Sequence, residues 1–177
     1  MTAVAIRPGK IVATETKVAE DASFSAFYDA NRDQLVRAVW ASIRDRDLAA
    51  EAVDEAFTRA YGRWDQLSEA GNIAGWVFRT AVNWSISRFR KLDTRRRLGF
   101  KAAQRGDVVD VVRDPDLAKA LEKLPLEQRT VLVLRYLLDW DIATTAEALG
   151  IKEGTVRSRT TRAIEAMRAT TEFGDHS

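Results

Sequence analysis

Apolar residues return at intervals of three and four through most of the chain, which predicts an all-α protein. Phe24, Phe27, Tyr28, Asn31, Leu35, Ala38 and Val39 begin a first core helix. Residues 1–22 lack that period and are expected to be a flexible lead-in. Ala49, Ala52, Val53, Ala56, Phe57, Ala60, Tyr61 and Trp64 put one face of a second helix in the core. From Trp64 to Gly75 the period lapses among Ser68, Gly71 and Asn72, as expected of a loop. Residues 76–90 then carry two apolar rows, Val77, Ala81 and Trp84 on one side and Phe78, Val82, Ile86 and Phe89 on another, so more than one face of this helix needs cover. Residues 92–114 have no sustained period and contain Gly99 and Gly106, which suits a tether.

Periodicity resumes in 115–172, and residues 173–177 are left as a tail. Pro125 suits a first helical turn, where its missing N–H costs nothing, and Glu127 follows at the positive end of the helix dipole, so a helix is expected to begin there. Asp141 is a good N-cap for the next helix. Leu149 closes that helix, Gly150 can take the left-handed conformation that ends it, and Ile151 turns inward. Val156, Ala163, Ile164 and Met167 then share one stripe, while Arg157, Ser158, Thr161 and Arg162 lie off it. This is the pattern of a helix-turn-helix, whose second helix packs on one face and meets phosphates and base edges with the other. The expected fold is therefore two small helical domains, near 23–91 and 115–172, joined by a flexible linker, with the helix-turn-helix in the second.

Charge sharpens this picture. The net charge is only +2, but Arg88, Arg90, Lys91, Arg95, Arg96, Arg97, Lys101 and Arg105 follow one another with Asp93 as the one acid among them. Such a run is a phosphate-contacting surface, continuing into the polar connector. With no Cys and one His, His176, disulfides, thiolate metal sites and histidine-based catalysis are excluded or implausible. No catalytic carboxylate spacing or Gly-rich phosphate loop is present, so no cofactor and no metal are expected. A chain of 177 residues makes two small helical domains but not a large enzyme core as well. It shows no signal peptide and no apolar run long enough to span a bilayer, so a cytoplasmic protein without membrane insertion is expected.

Leu124-Pro125 followed by Glu127-Gln128-Arg129, an apolar run, and a helix-turn-helix ending in Gly154-Thr155-Val156-Arg157-Ser158-Arg159 resembles the −35-reading domain of bacterial sigma factors. In the front half, Ala49 to Tyr61 resembles the helix by which sigma factors dock on the clamp helices of RNA polymerase, and the 64–76 loop with the helix after it resembles their −10-reading element. Without the extra domains of housekeeping sigma factors, the chain is similar to the minimal, extracytoplasmic-function (ECF) type. The resemblance implies a non-enzymatic factor that binds core RNA polymerase and promoter DNA and directs promoter-specific initiation, and it raises an anti-sigma factor as a further partner. It implies polymerase contacts at Glu51, Asp54, Glu55 and Thr58; on spacing alone, a solvated face is the commoner explanation of the acidic run there, and only the resemblance favours a partner. It assigns −10 recognition to Asn72, Trp76, Asn83, Trp84, Arg88, Arg90 and Lys91. Residues Arg157, Ser158, Thr161 and Arg162 would read −35 bases, with Lys152 and Arg159 on phosphates.

The sequence departs from the family pattern in three places. Asp54 stands where Gln is usual, Thr144-Thr145-Ala146 replaces Glu-Ile-Ala, and Lys152 takes the place of a Ser cap. Two alternatives stay open at this point: a stand-alone helix-turn-helix regulator, and a sigma-fold protein-interaction adaptor that has lost promoter binding.

Overall fold

The computed structural model describes residues 9–97 and 115–172. The expected lead-in residues 1–8, the linker residues 98–114 with Lys101 and Arg105, and the tail 173–177 with His176 lie outside the described residues. The described elements are α1 (Gly9–Ile43), α2 (Arg46–Tyr61), α3 (Trp64–Ala70), α4 (Ile73–Arg97), α5 (Pro115–Lys123), α6 (Leu126–Leu132), a π-helical turn (Val133–Leu137), α7 (Ile142–Leu149) and α8 (Glu153–Glu172).

Helix α1 starts at Gly9, well before the expected 23, because nothing between Lys10 and Ile43 is a helix breaker; the apolar period marks where the helix meets the core, not where it starts. Arg44, left-handed at φ 63°, stops it while donating its backbone N–H to the Trp40 carbonyl at 2.7 Å. Asp45 caps α2 by accepting the Leu48 N–H at 2.9 Å. Ala49, Ala52, Val53, Ala56, Phe57 and Ala60 are buried as their spacing requires, and the four alanines let α2 lie close against α1 and α4, whereas Tyr61, expected on the same face, is 48 % exposed at the helix end. The stretch expected as a loop is mostly helix: Trp64 is buried and meets Phe24 edge-on at 5.2 Å, and α3 is built on that anchor until Gly71, at φ 101°, ends it. Helix α4 runs on to Arg97, beyond the expected boundary at 91. Both its apolar rows are covered, with Val77, Phe78, Ala81 and Val82 buried, because α4 is held between α1 and α2 on one side and α7 on the other.

Pro125 sits one position outside α6, as its N-cap residue, with its carbonyl accepting the N–H groups of Gln128 and Arg129 at 3.1 and 3.0 Å. Arg129 is buried at 7 % exposure and uses its guanidinium as a splice. Nη1 donates to the carbonyls of Leu121, Glu122 and Leu124 at the end of α5, and Nε donates to the Ser42 carbonyl of α1 at 2.7 Å. Arg44 adds an ion pair to Glu122 at 2.8 Å. In the π-helical turn the Leu138 N–H reaches the Val133 carbonyl at 3.2 Å, one residue further back than an α-helix would take it. The extra residue buries Leu134 and Leu138 and leaves Tyr136 65 % exposed. Val133, Leu134, Leu138 and Ala148 belong to the same buried cluster as Leu35, Val39, Phe57 and Phe78, so the two halves share a core.

Candidate nucleic-acid and polymerase interfaces

The helix-turn-helix has the expected form. Asp141 caps α7 by accepting the Thr144 N–H at 2.6 Å, and that bond holds its carboxyl below the usual carboxylate range. Gly150 ends α7 at φ 65°, and its N–H returns to the Glu147 carbonyl at 3.1 Å. The inner face of α8 is fixed in two places. Val156 packs with Val131 and Ala146, and Ala163 packs with Leu121, Leu124 and Leu132, joined by Ile164 and Met167. That fixed face turns Arg157, Ser158, Thr161 and Arg162 outward, all exposed, along one edge of the first turns of α8.

The groups on this edge are of the kinds that read bases. Arg157 holds Glu153 at 2.8 Å across one helical turn, a surface pair worth only about 0.3–0.5 kcal/mol and easily exchanged for a guanine edge. The hydroxyls of Ser158 and Thr161 donate to the carbonyls of Thr155 and Arg157, both at 3.1 Å, which leaves their oxygens outward as acceptors. Lys152 is exposed just ahead of α8; its carbonyl accepts the Thr155 and Val156 N–H groups at 2.9 and 3.1 Å, while its side chain has nothing to offer the remaining orphan donors. Arg159 is turned toward α6, 3.5 Å from Glu127.

The residues assigned to −10 recognition do not form one group. Asn83, Trp84, Arg88 and Lys91 line a shallow concavity of about 410 Å³ on α4, in which the Arg88 guanidinium lies 5.3 Å from the Trp84 ring centroid. Arg90 is exposed on the same helix. Arg59 of α2 and Thr80 also line this concavity, and sequence reasoning missed both. Thr80, Asn83, Ser87 and Lys91 are a polar stripe at helical spacing inside an otherwise apolar helix, which is the signal that was there to be read. Asn72 and Trp76 instead line a second concavity, of about 130 Å³, with Leu67, Arg79 and two residues of α7, Glu147 and Ala148.

The acidic patch expected on α2 is not a bare one. Asp54 accepts both Nε and Nη2 of Arg32 at 2.8 Å, and this bond pushes the Arg32 guanidinium further into its charged form. Glu55 pairs with Arg59 at 2.9 Å, and Glu51 with Arg88 at 3.4 Å. The arginines come from 4 to 37 positions away, so the neutralisation is largely tertiary. Beside these pairs, Phe24, Tyr28, Phe57 and Tyr61 open an apolar groove of about 370 Å³, rimmed by Asp54 and Thr58. The Tyr61 hydroxyl donates to Asp21 at 2.7 Å.

Two family models match the chain. The family model for sigma-70 region 2 matches residues 27–95, and that for sigma-70 region 4 matches 116–167. The ECF RNA polymerase sigma factor SigL of Mycobacterium tuberculosis is 32 % identical over 160 residues, which is 86 % of this chain and 90 % of that one. SigW of Bacillus subtilis, another ECF sigma factor, is 28 % identical over 171 residues, 87 % of this chain and 91 % of SigW. Among solved structures, the sigma factor RpoE of Bartonella quintana, held by the anti-sigma factor NepR, superposes with a TM-score of 0.69 at 21 % identity, over 85 % of this chain and 97 % of that chain. A recognition helix with an outward basic edge, a front half built around the α2–α4 pair, and relatives matched over nearly their whole length have one common explanation: the chain belongs to the ECF family of RNA polymerase sigma factors, the promoter-specificity subunits of transcription initiation.

Proposed function

We propose that Arg157, Ser158, Thr161 and Arg162 read the bases of the −35 element from the major groove, with Lys152 and Arg159 on its phosphates. The observation that carries this is the orientation of α8: Val156 and Ala163 are fully buried, and the four reading residues share the opposite, exposed edge. Asn83, Trp84, Arg88, Arg90 and Lys91 hold the unpaired −10 strand along α4. Bases stack on Trp84 while Arg59 and Lys91 neutralise phosphates, and base–aromatic stacking of this kind contributes about 1–3 kcal/mol per base. Asn72 and Trp76 complete the −10 site by holding a base turned out of the stack.

Core polymerase docks on the aromatic groove of α1 and α2. Asp54 and Thr58 form the rim, and Glu51 and Glu55 supply charge at the margin. An apolar groove with paired charges around it gains more from burial than a patch of acids already matched by arginines. The chain acts in the cytoplasm without catalysing a reaction itself. No helix among the described residues is long and apolar enough to cross a membrane. An anti-sigma factor holds it inactive, a reading supported by the RpoE complex with NepR.

Run-off transcription with core polymerase, followed by selection from randomised −35 sequences, tests the assignment. The wild-type chain yields a defined −35 consensus, and Arg157→Ala and Arg162→Ala each relax it at particular positions. A bidentate Arg–guanine contact sets about 1–3 kcal/mol of discrimination, whereas loss of Lys152 weakens all sequences alike and flattens the salt dependence. Unchanged base preferences in both Arg variants refute the −35 assignment. Absence of any run-off product refutes the function.

A further inference from the structure

Asp54 is the acid in the lining of the aromatic groove of α1 and α2, beside Phe24, Tyr28, Phe57, Thr58 and Tyr61. The rings make that groove apolar: Tyr28 meets Phe57 edge-on at 4.8 Å, and Phe24 meets Tyr61 at 5.0 Å. A carboxylate with no counter-ion at such a place opposes docking, because the partner's surface strips its water and puts nothing in its stead. The family pattern has Gln at this position, which is uncharged. Here the charge is met by a residue of another helix.

Arg32 of α1 holds Asp54 of α2 with a two-pronged hydrogen bond, Nε donating to Oδ1 and Nη2 to Oδ2, both at 2.8 Å. This is the strong and geometrically specific form of an arginine–carboxylate contact. The guanidinium carbon lies 5.9 Å from the centre of the Tyr28 ring, and Nη1 is 3.6 Å from Asp33, so the group is placed from three sides. The two side chains are 30 % and 48 % exposed, partly out of water before any partner arrives. The other acids of this face differ. Glu55 pairs with Arg59 of its own helix, Glu51 meets Arg88 at 3.4 Å, and neither is in the groove's lining.

We propose that Arg32 is a docking residue: it cancels the charge of Asp54, so that the pair presents core polymerase with the neutral rim that Gln provides in the family pattern. The proposal rests on the assignment of this groove to polymerase docking, and it fixes the sign of the part that Asp54 plays there. Asp54 does not draw a basic partner across the groove; it has to be neutralised before the groove can close on an apolar one. Positions 32 and 54 therefore determine docking as a pair. Arginine with aspartate serves, and so does an uncharged residue at both.

Binding of the full-length chain, labelled at its N-terminus, to core RNA polymerase is measured by fluorescence anisotropy for wild type, Arg32→Ala, Asp54→Gln and the double variant. Circular dichroism checks that each is folded. Arg32→Ala leaves a carboxylate without its counter-ion and weakens binding about tenfold. Asp54→Gln alone weakens it less, since the released guanidinium can turn to Asp33 or to water. The double variant returns to within about twofold of wild type, a non-additive result for two residues in contact. Packing does not account for that return. The double variant lacks the tie between α1 and α2 as completely as either single variant does, so the charge at the rim is what separates them.

If Arg32→Ala binds core polymerase as well as wild type or better, Asp54 meets polymerase as a charge and the proposal is overturned. A double variant no stronger than Arg32→Ala overturns it too, because the loss then comes from the broken tie. Thr58→Arg sets the docking assignment apart: a long cation at the rim abolishes core binding wherever this groove is the docking site. Full binding by Thr58→Arg removes that assignment and the proposal with it, whereas loss of binding there without rescue in the double variant removes only the part given to Arg32. Should Arg32→Ala not fold, Arg32→Gln carries the same comparison. It keeps a hydrogen-bonding group between the helices, weakens docking beside Asp54, and restores it when combined with Asp54→Gln.

Discussion

Replacing Thr145 with Val is expected to stabilise this protein. The position is fully buried in α7, and its Oγ1 has no hydrogen-bond partner. A buried hydroxyl that has given up water without finding a protein acceptor or donor costs about 1–3 kcal/mol. Valine has the same branched shape, so it fits the space without a cavity and keeps the χ1 restriction that Thr already suffers in a helix. The exchange removes the desolvation cost and adds a methyl group's burial, together about 2 kcal/mol after allowing for imperfect fit. For a chain of this size that raises the Tm by roughly 4–8 °C. Thermal denaturation followed by circular dichroism measures it, with Thr145→Ser as the counterpart: it keeps the unpartnered hydroxyl, loses the methyl, and lowers the Tm. A Thr145→Val chain no more stable than wild type refutes the reasoning, because the hydroxyl would then have a partner worth as much as the methyl that replaces it.

Two further outcomes follow from the ends of the same helix. Gly150→Ala forces a Cβ into a left-handed backbone at φ 65°, at a cost of about 1–2 kcal/mol, and also pushes on Arg79 Nη1, 2.8 Å from that Cβ; the expected fall in Tm is roughly 2–8 °C, and an unchanged Tm refutes it. Asp141 has its carboxyl held low chiefly by the Thr144 N–H, so its cap is at full strength above the ordinary Asp range and is lost as pH falls through the lowered value; the stability gap between wild type and Asp141→Ala therefore narrows in acid, and a gap constant from neutral to acid pH shows that the charge plays no part.

Where one helix face had to be buried, the sequence predicted it well. The stripes of α2 and α8 follow from a 3.6-residue period, and once Val156 and Ala163 are inside, Arg157 and Arg162 can only be outside. What failed to show was everything that depends on a partner distant in the chain. Asp54 and Glu51 looked like a bare acidic face because Arg32 and Arg88 are 22 and 37 positions away. The 64–75 segment looked like a loop because a helix as short as α3 has no period to detect and is held by one buried Trp against Phe24, 5.2 Å away. The double apolar face of α4 did announce a second neighbour, but only the folded chain identifies it as α7 and so separates Asn72 and Trp76 from Asn83 and Trp84.

The π-helical turn at Val133–Leu137 bears on how this chain tolerates change in length. An α-helix advances about 100° and 1.5 Å for every residue, so one residue more or less between α6 and α7 acts as a rotation of everything downstream. Relaxing the turn to plain α geometry by deleting one residue would swing Leu138 off the shared core and carry the α7–α8 pair around with it, whatever residue was removed. Substitutions at exposed Tyr136 change a surface, while a deletion at the same position re-aims the recognition helix. In this segment the count of residues is itself the inherited information, and the direction of α8 is stored as an angle.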